Sequence, residues 1–166
     1  MFTYRITKYD TKKRDKQGFY TDFNEWTSVY DVEISSLTYK EYLLYENGYI
    51  YAIFEILLLN KIIDEKNLNL EIKNVKFDFE FNFNKHNLNK KSYYLTDVED
   101  LIKKALREEI NFSVNIDNKV FIQFGYDLYM YVKSIKKINY SKLEFNGIHL
   151  YIEEMLEENF IDYTKE

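Results

Sequence analysis

Residues 112–132 read FSVNIDNKVFIQFGYDLYMYV. Apolar side chains hold the even positions: Phe112, Val114 and Ile116, then Val120, Ile122 and Phe124, then Leu128, Met130 and Val132. Strict alternation marks strands with one buried face. Two turns must interrupt the run, and their length is open to arithmetic. A three-residue loop at 117–119 sets Ile116 opposite Val120, Val114 opposite Ile122 and Phe112 opposite Phe124, so every facing pair is apolar. A two-residue loop would set Val114 against Phe121 and turn one strand over. The same three-residue length at 125–127 pairs Phe124 with Leu128, Ile122 with Met130 and Val120 with Val132. The prediction is a three-stranded meander stabilised by cross-strand apolar pairs. Its opposite face carries Ser113, Asn115, Phe121, Gln123, Tyr129 and Tyr131.

Upstream, Phe2, Tyr4 and Ile6 alternate with Thr3, Arg5 and Thr7, which predicts a first strand rather than a leader segment. Residues 10–24 are polar and basic and read as a loop. Residues 25–32, EWTSVYDV, lean towards β and hold the only Trp. Thr38 and Glu41 make a capping box that opens a helical region over 39–63. Gly48 interrupts it at a cost of about 1 kcal/mol relative to Ala, so a split near 47–48 is expected. Its second half is apolar nearly all round, which predicts packing on more than one side. At about fifteen residues, with Glu55 and Lys61 inside, the apolar run 49–63 is too short to span a bilayer.

Leu68, Leu70 and Ile72 alternate, and then Val75, Phe77, Phe79, Phe81 and Phe83 take up the opposite phase. A slip of one residue would expose the whole row, so 73–74 must be a turn or bulge. Residues 86–91 read as a polar loop. Thr96 and Glu99 form a second capping-box pattern, followed by Val98, Leu101, Ile102, Ala105 and Leu106 at helical spacing. The pattern of 135–146 fits neither period. Ile148, Leu150 and Ile152 predict a last strand, and 153–160 a short acidic helix. With no repeat and no linker, 1–166 reads as a single α+β domain: mainly antiparallel sheet with a β-meander, packed against two helical regions.

Composition narrows the chemistry. The 166 residues include no Cys, which excludes thiolate metal sites, disulfides and Cys nucleophiles. Tyr (17) and Phe (13) are abundant beside Lys, Asn and Ile. All five use A/T-heavy codons, so an AT-rich genome accounts for much of the aromatic excess. The net charge is −5, unfavourable for general nucleic-acid binding, which rests on phosphate contacts. That charge is bipolar. Residues 1–20 carry Arg5, Lys8, Lys12, Lys13, Arg14 and Lys16 against Asp10 and Asp15, whereas 151–166 carry Glu153, Glu154, Glu157, Glu158, Asp162 and Glu166 against Lys165. The acidic end could steer a basic partner or be a solvated tail.

No nucleotide-binding or hydrolase motif is present, and His86 and His149 are isolated. Asp64 with Glu71 and Lys73 loosely matches the D…(E/D)-x-K pattern of metal-dependent nucleases, where carboxylates hold Mg²⁺ beside a Lys. Glu55, in an apolar helix, calls for a partner such as Arg5 or a lysine. The Phe121, Tyr129 and Tyr131 face, rimmed by acids, suggests a protein-binding surface if no second layer covers it.

The stretch Tyr4-Arg5-Ile6-Thr7-Lys8-Tyr9, Arg14-Asp15, Gly18, Glu25-Trp26-Thr27-Ser28 and Asp31 resembles a family of small uncharacterised proteins from low-GC bacteria. Glu41-Tyr42-Leu43, Glu46, Tyr49-Ile50, Phe124-Gly125-Tyr126-Asp127 and Tyr129-Met130-Tyr131 fit the same pattern. The resemblance reaches to about residue 133. The family has Pro where Thr11 stands and Gly near Glu33, a difference that bears on loop geometry. It implies no catalytic residues. Its small acidic members are similar to immunity proteins, which shield a bacterium from a toxin.

Together these features predict a cytoplasmic protein-binding domain rather than an enzyme: an immunity-type inhibitor that occludes a basic toxin, with no cofactor, no metal, no membrane and no nucleic acid. The contact residues would be Trp26, Asp31, Tyr126, Asp127, Tyr129, Tyr131, Glu153, Glu154, Glu157 and Glu158. The alternatives are a nuclease-like enzyme using Asp64, Glu71 and Lys73, or a structural or regulatory subunit of a bacterial complex.

Overall fold

A computed structural model of the chain describes residues 1–17, 20–22, 25–32, 34–64, 71–73, 75–81, 84–86 and 92–156. Along the chain run β1 (Phe2–Thr7), α1 (Tyr39–Leu59), β2 (Glu71–Lys73), β3 (Val75–Phe81), β4 (Asn84–His86), β5 (Ser92–Tyr94) and α2 (Leu95–Leu106). There follow β6 (Asn111–Ile116), β7 (Val120–Phe124), β8 (Tyr129–Ser134), β9 (Lys142–Phe145) and β10 (Ile148–Met155). Eight strands form one antiparallel sheet in the order β4-β3-β6-β7-β8-β1-β10-β9, and β2 pairs with β5 apart from it. The architecture is α+β, as the pattern predicts.

The meander forms where expected, with its inward row intact. Val114, Ile116, Val120, Ile122, Met130 and Val132 are all buried. In the first hairpin Ile116 faces Val120 and Val114 faces Ile122, the register of the three-residue loop. The second hairpin corrects the prediction. Phe124 faces Met130, Ile122 faces Val132 and Val120 faces Ser134, two residues further along. Gly125 N–H donates to Tyr129 O at 2.8 Å, and Asp127 and Leu128 take left-handed backbone conformations. Leu128 is thereby buried beneath the turn instead of pairing with Phe124. A shift of two conserves which face each side chain takes, so the apolar row could not have distinguished the two registers.

Helix α1 is continuous through Gly48, contrary to the expected split. The glycine serves packing instead. A Cβ there would lie 2.5 Å from Ile148 Cδ1, so the missing side chain lets α1 approach β10 closely. The Thr38–Glu41 capping box is formed. Leu37 and Tyr42, both buried, hold the positions of a hydrophobic staple. At the far end the Asn60 amide donates to Ile56 O (2.8 Å) and Ser134 Oγ (2.9 Å), tying the helix cap to β8.

Other expectations change. Helix α2 begins at Leu95 with Tyr94 as its cap, so Thr96 and Glu99 make no capping box. Buried Leu95 draws the helix start forward, and Glu99 pairs with Lys103 at 2.6 Å. Residues 25–32 form no strand; Val29–Val32 is a 3₁₀ turn. Glu153 and Glu154 lie in β10 rather than a helix, because β1 takes them as partners opposite Arg5 and Tyr4. Glu157 and Glu158 lie outside the described residues. His86 ends strand β4 instead of opening a loop. The phase slip at 73–74 separates β2 from β3, which belong to different sheets. Among the described residues, no helix is long and apolar enough to cross a membrane.

Candidate protein-binding cleft

The site is assembled where the chain leaves β1. The Lys8 side chain is 1% exposed, and its Nζ lies 2.9 Å from Glu25 Oε2. Three rings surround the ammonium: Trp26 at 4.1 Å, Tyr9 at 4.4 Å and Tyr45 at 6.0 Å from their centroids. Such contacts favour the charged form. Burial lowers the Lys8 pKa all the same, opposed chiefly by the Glu25 hydrogen bond. Glu25 also accepts from Tyr20 Oη (2.9 Å) and Lys13 Nζ (3.3 Å). Burial works to raise its pKa, but the bonds from Lys8 and Tyr20 outweigh it and hold the carboxyl below its ordinary value.

The next segment is short of regular structure and rich in local hydrogen bonds. Asp31 Oδ2 accepts the backbone N–H groups of Thr27 (2.7 Å) and Ser28 (3.0 Å). Those bonds hold the Asp31 carboxyl below its ordinary range. Ser35 Oγ donates to Asp31 O, and Leu37 N–H donates to Ser35 Oγ. Trp26 is half-buried, edge-on to Tyr42 (5.9 Å) and Tyr45 (5.1 Å). Between this segment, the first turns of α1 and the β9–β10 turn opens a cleft of about 620 Å³. Glu25, Asp31 and Glu41 line it with Trp26, Tyr45 and Gly147. Glu41 is also held below its ordinary value, first by the Thr38 backbone hydrogen bond. Glu25 is already paired with Lys8 and Lys13, which leaves Asp31 and Glu41 as the carboxylates beside the aromatic rings that could meet a cation.

The sequence-predicted contact residues do not share one surface. Trp26 and Asp31 line the cleft. Tyr126, 63% exposed, and Asp127 sit at the β7–β8 turn, where Asp127 N–H donates to Glu108 Oε1 at 3.2 Å. The expected aromatic face is not bare. Tyr131 is buried, and Tyr129 is flanked by the guanidinium groups of Arg5 (5.5 Å) and Arg14 (5.9 Å) and by the Tyr9 ring (5.4 Å). Glu153 pairs with Arg5 at 2.7 Å and Arg14 at 3.4 Å, and Glu154 with Lys137 at 3.4 Å. The basic beginning of the chain therefore folds over the outer sheet face and neutralises part of the acidic end.

Among the described residues the buried carboxylate is Glu46, not Glu55. Glu46 is 1% exposed and receives a two-pronged bond from Arg107 at 2.7 and 2.8 Å, joining α1 to the end of α2. One signal could have found it: Glu46 shares a helical stripe with Tyr42, Tyr49, Ile53 and Ile56. Glu55 lies off that stripe, half-exposed, and takes a hydrogen bond from Tyr51.

No family of known proteins, no curated protein and no solved structure matches this chain. Of the nuclease-like set, Asp64 follows α1, and Glu71 and Lys73 are the first and last residues of β2. Residues 65–70, which would join them, lie outside the described residues. Among the described residues, no group of three His, Asp or Glu side chains is placed to hold a metal ion.

Proposed function

We propose that this chain is a protein-binding domain acting as an immunity-type inhibitor, which covers the working surface of a basic toxin. The observation that carries the reading is the cleft at 25–45, where carboxylates and aromatic rings stand together at the surface. Around it the chain leaves large apolar side chains in water: Ile34 is 82% exposed, Tyr30 62% and Tyr39 49%. Exposed aromatic and aliphatic anchors beside charged groups are the usual make-up of binding hot spots. The net charge of −5 adds attraction for a basic partner and sets the rate of encounter more than the final affinity. Occlusion needs no chemistry from this chain.

The test is binding to the purified product of a neighbouring gene, measured at low and high salt, with protection of cells that express it. Affinity is expected to fall steeply with salt. Ile34→Asp is expected to weaken binding by about tenfold or more while leaving stability within about 0.5 kcal/mol. Salt-independent binding, or none, overturns the reading.

A further inference from the structure

We infer that the cleft is an arginine socket: it takes one guanidinium side chain of the basic partner, stacked against the Trp26 wall and bonded to Asp31 and Glu41. This inference rests on the inhibitor reading for the source of that side chain, but the socket itself stands on local geometry. The two carboxylates are held in place by caps that each use a single oxygen. Asp31 Oδ2 accepts from Thr27 and Ser28, and Glu41 Oε2 accepts both the N–H (2.9 Å) and the hydroxyl (2.7 Å) of Thr38. Asp31 Oδ1 and Glu41 Oε1 have no hydrogen-bond partner among the described residues. Both acids are thus fixed before any ligand arrives, so little side-chain freedom is lost on binding.

Charge favours a cation here. Lys8 lies buried beneath Trp26 and is already paired with Glu25, so the lining retains an excess of negative charge. Guanidinium suits the site better than ammonium. It is planar, stacks on aromatic rings, and offers five donors to carboxylates, whereas ammonium is a compact, strongly hydrated point charge. The size also fits. About 620 Å³ lies within the roughly 300–1,000 Å³ range of ligand pockets, ample for one long side chain and its flanking backbone. At the rim, Gly147 has nothing within 4 Å of where a Cβ would stand, so the β9–β10 turn leaves room for a partner's main chain.

The probe is the peptide acetyl-Gly-Arg-Gly-amide, with the citrulline peptide as its neutral counterpart. Trp26 is the only tryptophan, so its indole N–H gives one unambiguous NMR resonance. That resonance is expected to shift saturably with the arginine peptide and about tenfold more weakly with citrulline. The variant Asp31→Asn with Glu41→Gln keeps both caps, because the amide oxygens accept the same bonds, but removes both charges. It is expected to bind the arginine peptide about fivefold more weakly in low salt. An unmoved indole resonance, or equal shifts with citrulline, overturns the socket, whatever the neighbouring gene product does. If the arginine peptide titrates while that product fails to bind, the socket stands and the choice of partner falls.

Discussion

The meander β6–β8 and the corner spanning 8–45 are stabilised in opposite ways. In the meander one period repeats, each inward residue is apolar, and neighbours in space are near neighbours in sequence. In the corner no period is visible. Its order comes from individual polar contacts: Lys8 to Glu25, Asp31 to the 27–28 backbone, and Thr38 with Glu41. The difference teaches where each region can fail. An apolar row loses stability in proportion to the area and volume removed. A polar corner loses it when one group is left without its partner.

The largest expected effect breaks the meander. Ile122 is fully buried between Val114 and Val132. Ile122→Ala is expected to lower the unfolding free energy by about 3 kcal/mol in a urea titration. A loss below about 1 kcal/mol would mean that the row is not the packed centre of the molecule.

The next tests a hydroxyl that joins the two regions. The Tyr49 hydroxyl, on α1, accepts from Lys8 N–H at 3.0 Å and donates to Leu128 O in the β7–β8 turn. Tyr49→Phe leaves both backbone groups buried without that partner and is expected to cost about 2 kcal/mol. Hydrogen exchange should speed up at Lys8 and around the β7–β8 turn, and elsewhere change only as far as the global loss requires. Uniform acceleration would show that the hydroxyl has no local role.

The smallest effect separates the regions by pH. Glu25 and Asp31 are held below their ordinary values of 4.5 and 3.8. Their contribution is complete above those values and is lost as pH falls through the depressed ones. Lys8 acts at the other end. Its folded value lies below 10.5, so between the two the unfolded chain binds more protons and stability rises with pH. On acidification, Trp26 emission should change while the far-ultraviolet signal of the sheet persists. Coincident changes in both would contradict separate control of the corner.

Much of the fold was legible from spacing. The even-numbered row gave the meander, Thr38 with Glu41 gave the start of α1, and the stripe from Val98 to Leu106 gave α2. The misses share a cause. Where a turn could move by two residues, as at Leu128, the apolar pattern was blind to the difference, and left-handed conformations at Asp127 and Leu128 decided it. Where a strand continued into acids, as at Glu153 and Glu154, composition suggested a helix, but pairing with β1 fixed it as strand. At the candidate site, Trp26 and Asp31 were visible as types, but Glu25 and Tyr45 became relevant only once α1 stood beside 25–37. Tyr131 and Glu153 were equally visible, but the structure buries Tyr131 and pairs Glu153 with the protein's own Arg5 and Arg14.

By itself, the sequence determined which side chains could share a face, because that follows from periods of 2 and 3.6 along a single segment. It also fixed what chemistry was unavailable, since a chain without cysteine cannot build thiolate sites. Only tertiary structure decided which charges were left to act on a partner. Glu46 meets Arg107 across 61 positions and Glu153 meets Arg14 across 139. Such pairings depend on how helices and strands come together in space, and no local period carries that information.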